Sequence, residues 1–148
     1  PTFRYNPTTK MADKGIEKTL LSSIDSLLNV DGGIIHIGIT EKKPTGIFND
    51  LKLFPKKKRT QEEFEKKLRE TLQNRLSDSY IGRTIRITFP KTHSVTICEI
   101  FVPKSSVPIY VITKNKDEEF YVRENGKLVR LGPRKQSEYI KEHFFDVD

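Results

Sequence analysis

The feature that most constrains this chain is an abrupt change of hydrophobic period between residues 16 and 40. Ile16, Leu20, Leu21, Ile24, Leu27 and Leu28 recur at helical spacing, which predicts one amphipathic helix over 16–28. Asp13 stands just ahead of it as the N-cap. The run halts at Asn29, turns at Asp31-Gly32-Gly33 and resumes as Ile34-Ile35-His36-Ile37-Gly38-Ile39. That β-branched run predicts a strand buried on both faces. A helix that feeds a strand through two glycines commits the chain to helix-on-sheet packing.

Gly33 and Gly38 also carry the spacing of a GxxxxGK[ST] loop, with Thr40 at its Ser/Thr position. Such a loop works because its glycines let backbone N–H groups point at phosphates while its Lys neutralises their oxygens. Here Ile39 stands at the Lys position and the spacer is strongly β-forming. Its N–H groups are taken by a sheet ladder, so the stretch reads as turn plus strand. No GxGxxG occurs either, which leaves a dinucleotide fold without support.

Beyond the strand, residues 42–46 (KKPTG) predict a polar turn that ends a hairpin. Lys56-Lys57-Lys58-Arg59 is the densest basic run. A second helix follows, capped by Thr60 with Glu63 completing a capping box and Phe64, Leu68, Leu72 and Leu76 as its apolar stripe. From Ile81 onward short alternating runs (TIRITF, VTICEIFV, PIYVIT, EFYVRE, KLVRL) predict strands. Asn125-Gly126 marks a hairpin between the last two. A final helix is predicted over 136–144. The expected fold is α+β: one domain over 1–148, a mixed, mainly antiparallel sheet packed by about three helices.

Chemistry is sparse. The single cysteine, Cys98, excludes an internal disulfide framework and CxxC zinc sites, and fits a reducing intracellular compartment, cytoplasmic or nuclear. No apolar run reaches the length of a membrane span. The three histidines, His36, His93 and His143, lack a GxSxG elbow or HExxH partner. His36 reads as a satisfied core side chain, and His143 as a helix C-terminal charge. Glu41 and Asp50 sit at element ends, where carboxylates hold Mg²⁺ or Mn²⁺ only if several oxygens converge. A first residue that is Pro rather than Met leads us to expect a piece of a longer protein with covalently linked neighbouring domains. Homo-oligomerisation stays open.

Basic residues give the stronger signal. The net charge is +7, which points to a polyanionic partner, against simple solubility as the bland alternative. Lys56, Lys57, Lys58, Arg59, Lys104, Arg123, Lys127, Arg130 and Arg134 are the candidate phosphate contacts, with Arg83, Arg86 and Lys135 as further basic residues. Alternation in EFYVRE puts Tyr121 on the face of Arg123, so Tyr121 is the candidate for base stacking, with a place for Phe120 or Tyr121 in the core as the equal alternative.

Taken in order, NVDGGIIHIGIT, TGIFND, EIFVPKSSVPIY and FYVREN resemble the Schlafen/AlbA-type domain, once described as a divergent AAA domain. Its pattern is an N-T-x-G-G turn, a strand ending I-G-[IV]-x-[DE], a G-[IVL]-x-x-D turn, a Ser–Pro–Tyr segment and a [FY]-[YV]-x-R strand. Asn29, Gly32, Gly33, Gly38, Gly46, Asp50, Pro108, Tyr110 and Arg123 fall on it. The resemblance implies an α+β fold and nucleic-acid binding, DNA or RNA, as one module of a larger protein. Prokaryotic members are mostly described as DNA-binding or transcription-related, sometimes with ATP binding, which the failed phosphate loop does not support here. Some animal Schlafens are endoribonucleases that use three acids and a divalent metal on structured RNA. By that resemblance Glu41 is the third acid, and the other two would precede the segment FRYN, ahead of Pro1. The leading expectation is therefore a binding module without cofactor. A Mg- or Mn-dependent endoribonuclease is the first alternative, and a domain that binds an acidic protein partner the second.

Overall fold

The computed structural model describes residues 2–41 and 43–145. In chain order the elements are a small hairpin of β1 (Tyr5–Asn6) and β2 (Met11–Ala12), then α1 (Lys14–Leu28) and β3 (Gly33–Ile37). A second hairpin, β4 (Ile39–Thr40) and β5 (Lys43–Pro44), leads to α2 (Phe48–Leu51), α3 (Gln61–Arg75) and α4 (Ser79–Thr84). Next come β6 (Arg86–Thr88), a third hairpin of β7 (Lys91–Thr92) and β8 (Val95–Thr96), and β9 (Cys98–Val102). The chain ends in β10 (Val111–Ile112), β11 (Glu118–Glu124), β12 (Lys127–Leu131) and α5 (Pro133–His143).

The class is α+β, as expected, and every pairing among these strands is antiparallel. The predicted single sheet is instead divided. One three-stranded sheet has the order β3-β9-β6, the other β10-β11-β12, and the three hairpins stand apart. The main core gathers α1, α3 and the inner faces of both sheets around Phe3, Leu21, Ile24, Phe64, Leu72 and Ile100. A second cluster, Phe120, Val122 and Leu131, fills the other face of the β10–β12 sheet beneath α5. Besides the three predicted helices there are the short α2 and α4. Four and six residues are too short to show a period, although Asp78 caps α4 by accepting from Tyr80 and Ile81 N–H.

Local chemistry sets the predicted boundaries. Asp13 Oδ1 accepts the Gly15 N–H at 2.8 Å, α1 stops at Asn29, and the Thr60 hydroxyl accepts the Glu63 N–H at 3.2 Å. Asn125 and Gly126 both have positive φ, as a type I′ hairpin turn needs. At Gly32 (φ +73°) a Cβ would lie 2.6 Å from the Val102 carbonyl oxygen, so the turn after α1 lies hard against the end of β9. At Gly38 (φ +99°) a Cβ would lie 2.7 Å from Gly46, which breaks the predicted strand into β3 and β4.

β3 is a correction. Among the described residues it pairs with β9 alone, so it is an edge strand there rather than one buried on both faces. Ile37 is fully buried and Ile35 packs on the core, while Ile34 is 53% exposed. His36, expected in the core, is on the outer face with Nε2 3.2 Å from Glu99 Oε1. The hairpin turn of KKPTG is also shifted. Lys43-Pro44 forms β5, so the turn begins at Glu41, and Lys42 lies outside the described residues.

Two buried groups set the chemistry of the interior. Cys98 is a free thiol, pushed up to about 12 chiefly by burial, and stays protonated at neutral pH. Asp25 is fully buried; its Oδ2 accepts the Tyr121 N–H at 3.0 Å and its Oδ1 has no hydrogen-bond partner among the described residues. Burial raises this carboxyl well above the usual range, against the lowering effect of the Tyr121 bond. The folded chain therefore holds that proton more tightly than the unfolded chain, whose Asp titrates near about 3.9. The associated stability is fully present below about pH 4 and is lost as pH rises toward the folded value. Asp25→Asn keeps an acceptor for Tyr121 and removes the ionisation. Its stability relative to wild type is expected to improve by about 1 kcal/mol or more between pH 4 and pH 8 in urea unfolding; parallel pH profiles would contradict this.

Candidate nucleic-acid interface

Asn29, Gly32 and the end of β9 position the first of the candidate cations. Because Gly32 packs on Val102 and the Ser105 N–H donates to the Leu28 carbonyl at 2.8 Å, Pro103 and Lys104 are pinned beside the turn after α1. Arg123 comes from β11, two residues past Tyr121, where the strand reaches its hairpin. Tyr121 lies in the core and Arg123 is half-buried. Both Lys104 and Arg123 line a cavity of about 520 Å³ between the turn after α1, β11 and the end of α5.

The walls of this cavity are mixed in charge. Asp31, Glu124 and Glu142 share it with the two cations, and Tyr139, His143 and Phe144 supply its aromatic side. The Tyr139 and His143 rings stack at 3.9 Å and 12°, and the Tyr139 hydroxyl donates to the Asn29 carbonyl at 2.7 Å. Burial, with Asp31 and Glu124 nearby, raises the Tyr139 phenol above its ordinary range, so it remains a donor. Among the described residues neither Lys104 nor Arg123 forms an ion pair.

The other candidates are dispersed. Lys56, Lys57 and Lys58 are exposed on a single 3₁₀ turn ahead of α3. Arg59, next to them, turns inward: Nε donates to the Phe54 carbonyl at 2.9 Å and Nη2 to the Lys52 carbonyl at 3.0 Å. Arg130 pairs with the nearly buried Glu119 at 3.1 Å, which Lys18 also meets at 2.9 Å. These bonds and charges hold the Glu119 carboxyl below its usual range despite its desolvation. Arg134 is highly exposed on α5, 3.7 Å from Glu138, and Lys127 is opposite Glu124 across the hairpin.

Tyr121 is the clearest correction. It is 8% exposed, packs in the main core, and its hydroxyl donates to Glu119 at 2.9 Å. Alternation put it on the face of Arg123 correctly, but α1 covers that face at Tyr121 and ends before Arg123. The aromatics at the cavity come instead from Tyr139 and His143 of α5 and from Phe144 at its end.

Glu41 is exposed at the tip between β4 and β5 with φ +49°. Among the described residues no three His, Cys, Asp or Glu side chains converge to hold a metal, so Glu41 by itself does not fit a divalent cation. Asp50 is not a ligand in waiting either. It is buried, with Oδ1 accepting the Arg4 and Tyr5 N–H groups at 2.9 and 3.0 Å and Oδ2 the Phe3 N–H at 3.0 Å. No spacing argument could have found that clamp, which spans more than forty residues.

No helix among the described residues is long and apolar enough to cross a membrane. The family described as Schlafen, AlbA_2 matches residues 4–132. A comparison with curated proteins finds no match. Among solved structures, the DIP2311 protein from Corynebacterium diphtheriae, a structural genomics target, is similar at a TM-score of 0.49 and 14% identity. That alignment covers 97% of this chain and 21% of the other, so this chain spans about a fifth of its length.

Arg59 gives a direct check on the sorting of the cations. Arg59→Ala is expected to lower stability by about 1–2 kcal/mol through the loss of its two carbonyl contacts. Nucleic-acid affinity should fall by less than about twofold, measured by thermal melts and anisotropy titrations of the same preparation.

Proposed function

The chain belongs to the Schlafen AlbA_2 family, and from that premise we propose that it is a nucleic-acid-binding module whose principal phosphate contacts are Lys104 and Arg123. The observation that supports this reading is their meeting, without an ion-pair partner among the described residues, at a cavity that also offers stacked aromatic rings. Phosphates recruit Lys and Arg, and aromatic faces hold unstacked bases. Lys56, Lys57, Lys58, Lys127 and Arg134, all exposed, add long-range attraction more than fixed contacts. Arg130 and Arg59 contribute less, because a carboxylate and two carbonyls already engage them.

Counterion release makes such binding steeply dependent on salt, by about 0.7–0.9 log units of affinity per log unit of salt for each phosphate contact. In the double variant Lys104→Ala/Arg123→Ala, two lost contacts should flatten that slope by roughly 1.4–1.8. Titration of DNA and RNA oligonucleotides over a range of salt measures this. A salt-independent or undetectable interaction of the wild type would overturn the reading.

A metal-dependent endoribonuclease is the second reading, and one observation favours it. Thr2 and Thr40 line one cavity of about 370 Å³, so chain entering at Thr2 arrives close to Glu41. Asp50 holds that entry in place through Phe3, Arg4 and Tyr5. Acidic residues ahead of Pro1, where the native protein carries them, would then be near the one carboxylate that this chain supplies. For a chain that carries acidic residues ahead of Pro1, structured RNA and Mn²⁺ should give cleavage that Glu41→Ala reduces at least about 100-fold. Cleavage that is unchanged in Glu41→Ala removes Glu41 from the reaction.

A further inference from the structure

The outer face of the β3-β9-β6 sheet carries a feature that the basic cavity does not absorb. The register places Ile34, Phe101 and Arg86 in one row across the three strands. The Arg86 guanidinium lies over the Phe101 ring at 4.5 Å. A few residues upstream, Arg83 lies over the Tyr80 ring at 5.6 Å, and Tyr80 is 63% exposed. Tyr80, Arg83 and Thr84 occupy positions i, i+3 and i+4 of α4 and share one of its faces. Thr84 in turn lines a cavity of about 220 Å³ with Arg86, Phe101 and Pro103. Two arginine–aromatic pairs therefore adjoin one recess.

Positive charge is left over at this shelf. Among the described residues Arg83 and Arg86 form no ion pair. Carboxylates nearby are engaged elsewhere: Asp78 caps α4, and Glu99 in the next row is 3.2 Å from His36. Pro103 lines this recess and Lys104, its chain neighbour, lines the larger basic cavity, so shelf and cavity adjoin.

We propose that this shelf takes the unpaired bases of single-stranded nucleic acid, with Tyr80 and the Arg86–Phe101 pair as the stacking surfaces. The proposal rests on the nucleic-acid reading above and adds strand selectivity to it. A planar, weakly hydrated guanidinium lying on an aromatic ring offers a flat cationic face to a base and remains within reach of its phosphate. Bases in a duplex are stacked on one another and present no free face to such a surface, so an unpaired strand is the partner that fits.

The test compares three probes by fluorescence anisotropy at low salt: a 12-nucleotide oligothymidine, an abasic strand of equal length and charge, and a 12-base-pair duplex. Wild type is expected to bind oligothymidine about tenfold or more tightly than the abasic strand. Tyr80→Ala, at an exposed site, and Phe101→Leu, which keeps an apolar side chain in the sheet, should each reduce that ratio severalfold while binding to the abasic strand is unchanged. Equal wild-type binding to the base-bearing and abasic strands, tighter binding to the duplex, or variants that retain the full ratio would overturn the shelf and leave the nucleic-acid reading standing. Absence of binding to all three probes, or capture of polyglutamate in preference to them, would overturn both.

Discussion

The side-chain amide of Asn29 is the junction on which the rest of the molecule depends. Its Nδ2 donates to the carbonyls of Ile109 and Tyr121 at 2.8 and 3.1 Å, and its Oδ1 accepts the Ile109 N–H at 2.9 Å. Its own carbonyl receives the Tyr139 hydroxyl. One residue at 2% exposure thereby ties the end of α1 to the segment before β10, to β11 and to α5. Asn is suited to this because its amide offers donors and an acceptor together, and a buried polar group left unmatched costs about 1–3 kcal/mol. Asp25, one helical turn earlier, adds a bond to the Tyr121 N–H. The second sheet is thus attached to α1 by directional bonds as well as by apolar contact.

From that junction the basic cavity follows. With Asn29 fixed, the Gly32 turn is pressed onto the Val102 carbonyl, and the chain leaving β9 must run beside it. Among the described residues, Lys104 is held there by backbone geometry rather than by any bond of its own side chain. Arg123 reaches the same place from the other side because Asn29 anchors β11 two residues earlier. A binding site whose charges are positioned by backbone contacts keeps the ammonium and guanidinium available for a ligand.

What was legible in the sequence was local. The period of α1 and α3, the Asp13 and Thr60 caps, the Asn29 stop and the Asn125-Gly126 turn all involve residues within four positions of one another. The family pattern was legible as well, because its glycines, Asn29, Asp50 and Arg123 sit at fixed positions along the chain. Relations between distant segments were not. Alternation assigned Tyr121 and Arg123 to one face without revealing where α1 would cover it. The apolar run of β3 did not show that no second neighbour would pair with it. Asp50 showed only as an acid at an element end, because its three N–H partners belong to the far N-terminal segment. The shelf was hidden for the same reason, since Phe101 and Arg86 meet only through the β6–β9 register.

The cations separate by one physical criterion, whether the fold has already given the charge a partner. Glu119 collects Lys18 and Arg130, Glu17 meets Arg75, Glu65 meets Arg69 and Glu138 meets Arg134. Arg59 and Arg69 also donate to backbone carbonyls and act as tethers between segments. A phosphate arriving at any of these groups must compete with an existing contact, which reduces what it gains. Lys104, Arg123, Arg83 and Arg86 have no carboxylate partner among the described residues, and a phosphate there displaces only water and counterions. They also lie beside aromatic rings on two adjoining recesses. The charge excess of +7 is thus best read by where an unpaired cation also meets an aromatic recess, and these four do so at two recesses joined through Pro103 and Lys104.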